Sequence, residues 1–205
     1  LLNDKGFDLW AEGYDKSVGI SDENNTYPFA GYKVILNEIY NRVLTSSGQK
    51  VLDIGFGTGT LTTRLYEQGY QIYGQDFSEE MIKIAQEKMP KAILYSGDFT
   101  NGLVEPLRKQ RYDAIIATYS LHHLDNEQKI LFIESLISLL NEDGIIYIGD
   151  VAFQTRKDLE DCKVEAKEYW DGEEIYFVYE ELKEHLPNLT FEKYSFCSGL
   201  LTISM

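Results

Sequence analysis

Val51-Leu52-Asp53-Ile54-Gly55-Phe56-Gly57-Thr58-Gly59 joins a β-rich run to a turn with glycine at every second position. Glycines so spaced permit a backbone path that side chains would obstruct, and they leave bare main chain for a ligand to lie against. Leu61 to Gln68 reads as a helix ending at Gly69, so the turn opens onto helix N-terminal amides, which favour a carboxylate or another anion. The rival reading is a dinucleotide site. Its G-x-G-x-x-G/A fingerprint, counted from Gly55, needs Gly or Ala where this chain has Thr60. The third glycine falls one residue early, at Gly59. Asp53, just before the turn, also suits an ammonium group better than a pyrophosphate.

Outward from this turn the chain alternates strand and helix. Gly31 to Thr45 carries Ile35, Ile39 and Val43 beside Leu36, Tyr40 and Leu44, two rows at helical spacing. Lys50 to Ile54, Gln71 to Gln75, Ile93 to Tyr95, Tyr112 to Thr118 and Ile145 to Gly149 read as strands. The continuous apolar run Ala114-Ile115-Ile116-Ala117 is expected of a strand buried on both faces. Ser78 and Asp125 are helix N-caps, the latter with Gln128 in capping-box position. Ile130, Ile133, Ile137 and Leu140 give the second of these helices its expected buried stripe, and Asp143-Gly144 a turn. The last quarter departs from this rhythm. Thr155 to Trp170 and Val178 to Leu186 read as helices, and Thr190 to Phe196 and Leu200 to Ser204 as an antiparallel hairpin. The expected fold is α/β: a mostly parallel open sheet covered by helices on both faces, closed by an antiparallel edge pair.

Ligands of such sheets bind at the C-terminal strand ends. Asp76 ends the second strand and can accept from a ribose diol; the plainer alternative is a cap on the helix that begins near Ser78. Asp98 in Gly97-Asp98-Phe99 can accept from an adenine amino group while Phe99 packs on the ring; its alternative is a turn-forming aspartate. Tyr119-Ser120-Leu121-His122-His123-Leu124 follows the fourth strand. A histidine here is a plausible proton acceptor, although a structural role beside the Asp125 cap is favoured. Asp150, after the fifth strand, is a second rim candidate that could equally be solvated. Tyr169, Trp170, Tyr176, Phe177 and Tyr179 form an aromatic group suited to core or to an acceptor pocket.

Val51 to Leu61, Gly74 to Met81, Gly97-Asp98-Phe99, Tyr112 to Leu124 and Asn141 to Asp150 together resemble the class I methyltransferases that use S-adenosylmethionine (SAM). Phe7-Asp8-Leu9-Trp10-Ala11-Glu12-Gly13-Tyr14-Asp15 resembles the opening segment of their small-molecule members, including the uncharacterised YrrT-like group. The resemblance implies a Rossmann-like three-layer sandwich with a seven-stranded sheet in the order 3-2-1-4-5-7-6. It implies that Gly55 and Gly57 adjoin SAM, with Gly59 of the same turn a further cofactor-binding candidate, and that Asp53 lies near its methionine part. It sets Asp76 on the ribose, Phe77 and Met81 beside the adenine, and Asp98 near its amino group. Tyr14 would touch the cofactor from a segment, residues 1–30, that closes over it. Tyr14 and Tyr119 offer aromatic faces to a sulfonium. The activity implied is in-line transfer of the sulfonium methyl to a small-molecule acceptor, releasing S-adenosylhomocysteine, with residues 155–186 as an acceptor-side addition. A non-catalytic SAM-binding or partner-binding module is the alternative.

Composition bounds the partners. The 205 residues suit a single domain. With 34 acidic against 19 basic residues the formal charge is −15, which repels phosphate backbones and anionic membranes. No apolar run is long enough to span a bilayer. Cys162 and Cys197 make neither a disulfide framework nor a zinc set, and no metal site is read. A cytoplasmic protein with reduced thiols, a monomer or homodimer, is expected.

Overall fold

The computed structural model describes Val18 and residues 23–205. Tyr14 and the segment from Phe7 to Asp15 lie outside the described residues. In chain order the elements are α1 (Tyr32–Thr45), β1 (Lys50–Ile54), α2 (Thr60–Glu67), β2 (Gln71–Asp76), α3 (Glu79–Lys88) and β3 (Ile93–Ser96). These are followed by α4 (Glu105–Arg108), β4 (Tyr112–Thr118), α5 (Asn126–Ile137), β5 (Leu140–Phe153) and α6 (Arg156–Ala166). The chain ends with β6 (Phe177–Val178), α7 (Tyr179–Leu182), β7 (Leu189–Lys193) and β8 (Ser198–Ser204).

Seven strands lie on one path, β3-β2-β1-β4-β5-β8-β7. β1 to β5 are parallel along it, and β8 pairs antiparallel with both β5 and β7. Leaving out β6, this is the expected order, 3-2-1-4-5-7-6. The strand count differs because β6, two residues long, pairs with Ala152 and Phe153 at the far end of β5. So short a pairing depends on tertiary placement and leaves no periodic signature.

Alternate residues of the central strands face opposite cores. Val51, Ala114 and Ile116 pack with Ile35, Ile39, Leu61, Leu65 and Met89. Leu52, Ile54, Ile115 and Ala117 pack with Phe132, Ile133, Leu136 and Leu182. Period-two alternation between two covered faces is why these strands read as continuously apolar.

Two local expectations change. Asp143-Gly144 does not end an element: β5 runs through it, with Asp143 at φ +64° and a register shift opposite Tyr112 and Ala114. Between Leu140 and Ile145 the long strand is therefore irregular, carrying more residues than β4 does opposite it. The buried face of α5 is also turned by about one position. Lys129, Phe132, Ile133 and Leu136 are buried in it, while Ile130 and Ile137 pack only at the margin and Leu140 belongs to β5. A lysine on the core face is the physical surprise. Its ammonium is accommodated because Nζ donates to Leu124 O at 2.7 Å and to Ile175 O.

Candidate functional site

The sheet order reverses between β1 and β4, and their C-terminal ends lie side by side, with Ile54 opposite Ala117. The loops after β1, β2, β3 and β4 surround an open cleft there, about 1100 Å³ with adjoining open solvent included. No helix among the described residues is long and apolar enough to cross a membrane.

The floor is the glycine turn. Gly55 has φ +66° and its N–H donates to Gln75 O at 2.8 Å. Gly57 has φ +55°, and its N–H donates to Asp76 Oδ2 at 2.8 Å. The other oxygen of Asp76 accepts from Ser78 N at 2.9 Å. One carboxylate therefore ties the turn after β1 to the start of α3, whose N-cap Ser78 accepts from Met81 N. Asp53 is 2 % exposed, and its Oδ1 has no hydrogen-bond partner although the residue lines the cleft. Burial pushes its carboxyl up to about 8, with the nearby Asp76 charge acting in the same sense.

Asp53, Gly55, Gly57, Asp76, Phe77, Met81, Asp98, Phe99 and Tyr119 all line this cleft. Gly59 does not. It is the N-cap of α2 at φ +76°, packed towards Met89 and Ala85. Asp98 makes the turn of its plainer alternative and stands at the cleft. Its Oδ1 accepts from Thr100 N at 2.8 Å and caps a short 3₁₀ turn. Phe99 stacks on Phe132, centroids 6.1 Å apart, which fixes the ring from behind. Tyr119 sits at φ +51°, wedged between Phe29 and Tyr32 at 5.2 and 5.1 Å. Burial holds its hydroxyl well above the ordinary tyrosine range.

The three polar rim candidates separate. His123 lines the cleft; His122 and Asp150 sit behind it. Asp150 is fully buried, not solvated. Its Oδ1 accepts from Val151 N and from His122 Nδ1, both at 2.8 Å, and Oδ2 has no partner. His122 Nε2 lies 3.4 Å from Glu174 Oε1. Burial is the largest influence on His122 and disfavours its imidazolium, but the charge and hydrogen bond of Asp150 together with the Glu174 charge outweigh it, and the net shift is upward. Burial and its neighbour His122 push His123 down to about 4.

The aromatic group of residues 169–179 disperses. Trp170 and Tyr176 come together beside the histidines, with Tyr27 stacked on Trp170 at 5.4 Å. Phe177 is core, Tyr179 packs on Phe191, and Tyr169 is 76 % exposed. The sequence reading missed Glu174, Lys129 and Tyr32. Glu174 and Lys129 resemble solvated charges until the fold is known. Tyr32 could have been flagged, because it opens the helix that precedes the glycine turn.

Residues 51–144 match the model of a methyltransferase domain family. An uncharacterised methyltransferase of Geobacillus sp. strain WCH70 is 39 % identical over 79 % of this chain and 73 % of its own length. Another from Alkaliphilus oremlandii is 34 % identical over 86 % and 78 %. Among solved structures, the DhpI complex with S-adenosylhomocysteine has a TM-score of 0.69 at 18 % identity, covering 98 % of this chain and 93 % of that one. Magnesium protoporphyrin IX methyltransferase from Synechocystis PCC 6803, with bound S-adenosylhomocysteine, has a TM-score of 0.66 at 19 % identity, covering 86 % and 85 %. At these identities the structural likeness speaks to the fold.

Proposed function

Because the chain belongs to the class I SAM-dependent methyltransferases, we propose that its cleft holds SAM against the glycine turn and presents the methyl group to a small-molecule acceptor on the side of His123. The carrying observation is Asp53: a buried carboxylate lining the cleft with an unpartnered oxygen, which an amino-acid ammonium would satisfy. Bare backbone at Gly57 beside it fits the same ligand.

The residues divide the work as follows. Asp53 would hold the amino-acid end, which would lie against the side-chain-free backbone of the turn. Asp76 would accept from the ribose hydroxyls, as an ionised carboxylate can accept several hydrogen bonds. Phe77, Met81 and Phe99 would enclose the adenine, with Asp98 at its edge. Tyr119 and Tyr32 would supply aromatic faces to the sulfonium. When bound, SAM supplies an electrophilic methyl group, so the protein's part is alignment and exclusion of water. We read the chain as one catalytic domain, with residues 1–30 as a cap containing Tyr14 and residues 155–186 as the acceptor-side addition. The acidic surface favours a small acceptor over nucleic acid and fits a cytoplasmic protein.

The first test is thermal shift. SAM or S-adenosylhomocysteine at about 100 times its Kd adds roughly 2.7 kcal/mol of stability. Stabilisation by NAD alone would overturn the reading. Incubation with methyl-labelled SAM and small-molecule extracts then tests transfer, with labelled product expected.

Asp53 gives a narrower expectation. Near pH 6.5 its carboxyl is protonated in the free protein, and pairing with an ammonium ionises it. Near pH 9.5 Asp53 is already ionised, while a free α-amino group of pKa about 7.7–8.0 is mostly neutral and must gain a proton to pair. Calorimetry in buffers of different ionisation enthalpy should therefore find about one proton released at the lower pH and about one taken up at the higher. In Asp53→Asn the release at low pH should vanish; its persistence would take Asp53 out of this role.

A further inference from the structure

Beside the cleft, His122, His123 and Glu174 bring ligand-type atoms within 4.8 Å of one another. We propose that these three side chains form a binding site for one divalent transition-metal ion, with an open coordination position towards the acceptor side of the cleft. Two imidazoles and one carboxylate are a donor set suited to Zn²⁺ and its first-row neighbours.

The orientation of His122 points to this use. Its Nδ1 is 2.8 Å from Asp150 Oδ1, which fixes the ring and leaves Nε2 as the outward atom. A buried carboxylate behind the ligating imidazole is the usual support of a metal-bound histidine. Nε2 and Glu174 Oε1 are 3.4 Å apart, long for a hydrogen bond. Two ligands about 2.0–2.1 Å from a shared tetrahedral ion are separated by about 3.4 Å. The remaining atoms, within 4.8 Å of one another, need close by at most about 1.4 Å to reach that separation. His122 and His123 already meet edge to face, centroids 4.4 Å apart.

The backbone holds the two ligand-bearing segments together. Ile175 N donates to His122 O at 2.9 Å. Lys129 Nζ, wholly buried, bonds the carbonyls of Leu124 and Ile175, one residue beyond His123 and one beyond Glu174. Asp150 Oδ2 has no partner, so the pocket carries carboxylate charge that a bound cation would offset. Three protein ligands with His123 on the cleft wall leave a fourth position facing the cleft, as in metal sites that take substrate. An oxygen or sulfur atom of the acceptor has the chemistry to fill it. The metal site itself does not require the donor reading to be right.

The test is a zinc titration of the chelator-treated full chain by calorimetry, with Co²⁺ absorption reporting geometry. Expected are one Zn²⁺ per chain, a four- or five-coordinate Co²⁺ spectrum, and at least tenfold weaker binding in His123→Ala and Glu174→Gln. Asp150→Asn should weaken binding about 10–100-fold through His122. His185→Ala, at an exposed histidine distant in sequence, should bind as the parent does. Thermal shift with SAM checks each variant's fold and tests the donor reading separately. Absence of stoichiometric binding, or equal binding by the parent and both ligand variants, would overturn the proposal whether or not SAM binds.

Discussion

Asp76→Ala should lower SAM affinity by about two orders of magnitude, the largest single loss expected from any side chain in the cleft. A hydrogen bond to a charged acceptor contributes about 1.5–3 kcal/mol, and two ribose hydroxyls would share this carboxylate. Since 1.4 kcal/mol is tenfold in Kd, losing both gives roughly 100-fold or more. The same carboxylate accepts from Gly57 N and Ser78 N, so Asp76→Ala should also destabilise the unliganded protein by about 1–3 kcal/mol. Asp76→Asn separates the two effects. Its amide oxygen can still accept from one backbone N–H, so urea denaturation should show a smaller loss, while calorimetry should still show SAM binding weakened at least tenfold. Near-parental affinity in both variants would remove Asp76 from the ribose.

The second large effect divides two glycines that look alike in sequence. A Cβ at Gly55 would stand 2.5 Å from Ser120 Cβ, at φ +66°. Gly55→Ala should therefore destabilise the fold by about 2–4 kcal/mol, from overpacking together with left-handed strain. A Cβ at Gly57 would meet no atom within 4 Å, at φ +55°. Gly57→Ala should cost only about 1–2 kcal/mol of stability, but its methyl would enter the space assigned to the ligand. SAM affinity should fall about tenfold or more. Denaturation and calorimetry on the pair check this. A Gly57→Ala protein that binds SAM normally would place the ligand elsewhere.

What could be read in advance follows from how local its cause is. β1 and β4 match their expected bounds because runs such as Ala114 to Ala117 have one stable use, a strand covered twice. The Asp125–Gln128 capping box forms as expected because both partners lie within one helical turn. Side chains whose roles depend on distant segments were not legible. Lys129 reads as the polar side of its helix until Ile175, from beyond β5, offers it a carbonyl. Asp150 reads as rim until β8 covers it and His122 claims it. Gly59 shows the converse: the motif suggested ligand contact, and its place in the structure is the N-cap of α2, packed towards Ala85 of α3 and Met89.

Lys129 also bears on how this protein could be altered. Its ammonium bonds a loop of the parallel sheet on one side and residue 175 on the other, so it works as a socket into which the segment between β5 and β7 plugs. A replacement segment grafted there to recognise another acceptor would have to present a carbonyl at that point. Without one it would strand a cation in the apolar interior. Grafts that keep this junction, or that replace Lys129 together with its carbonyl partner, are the designs expected to fold.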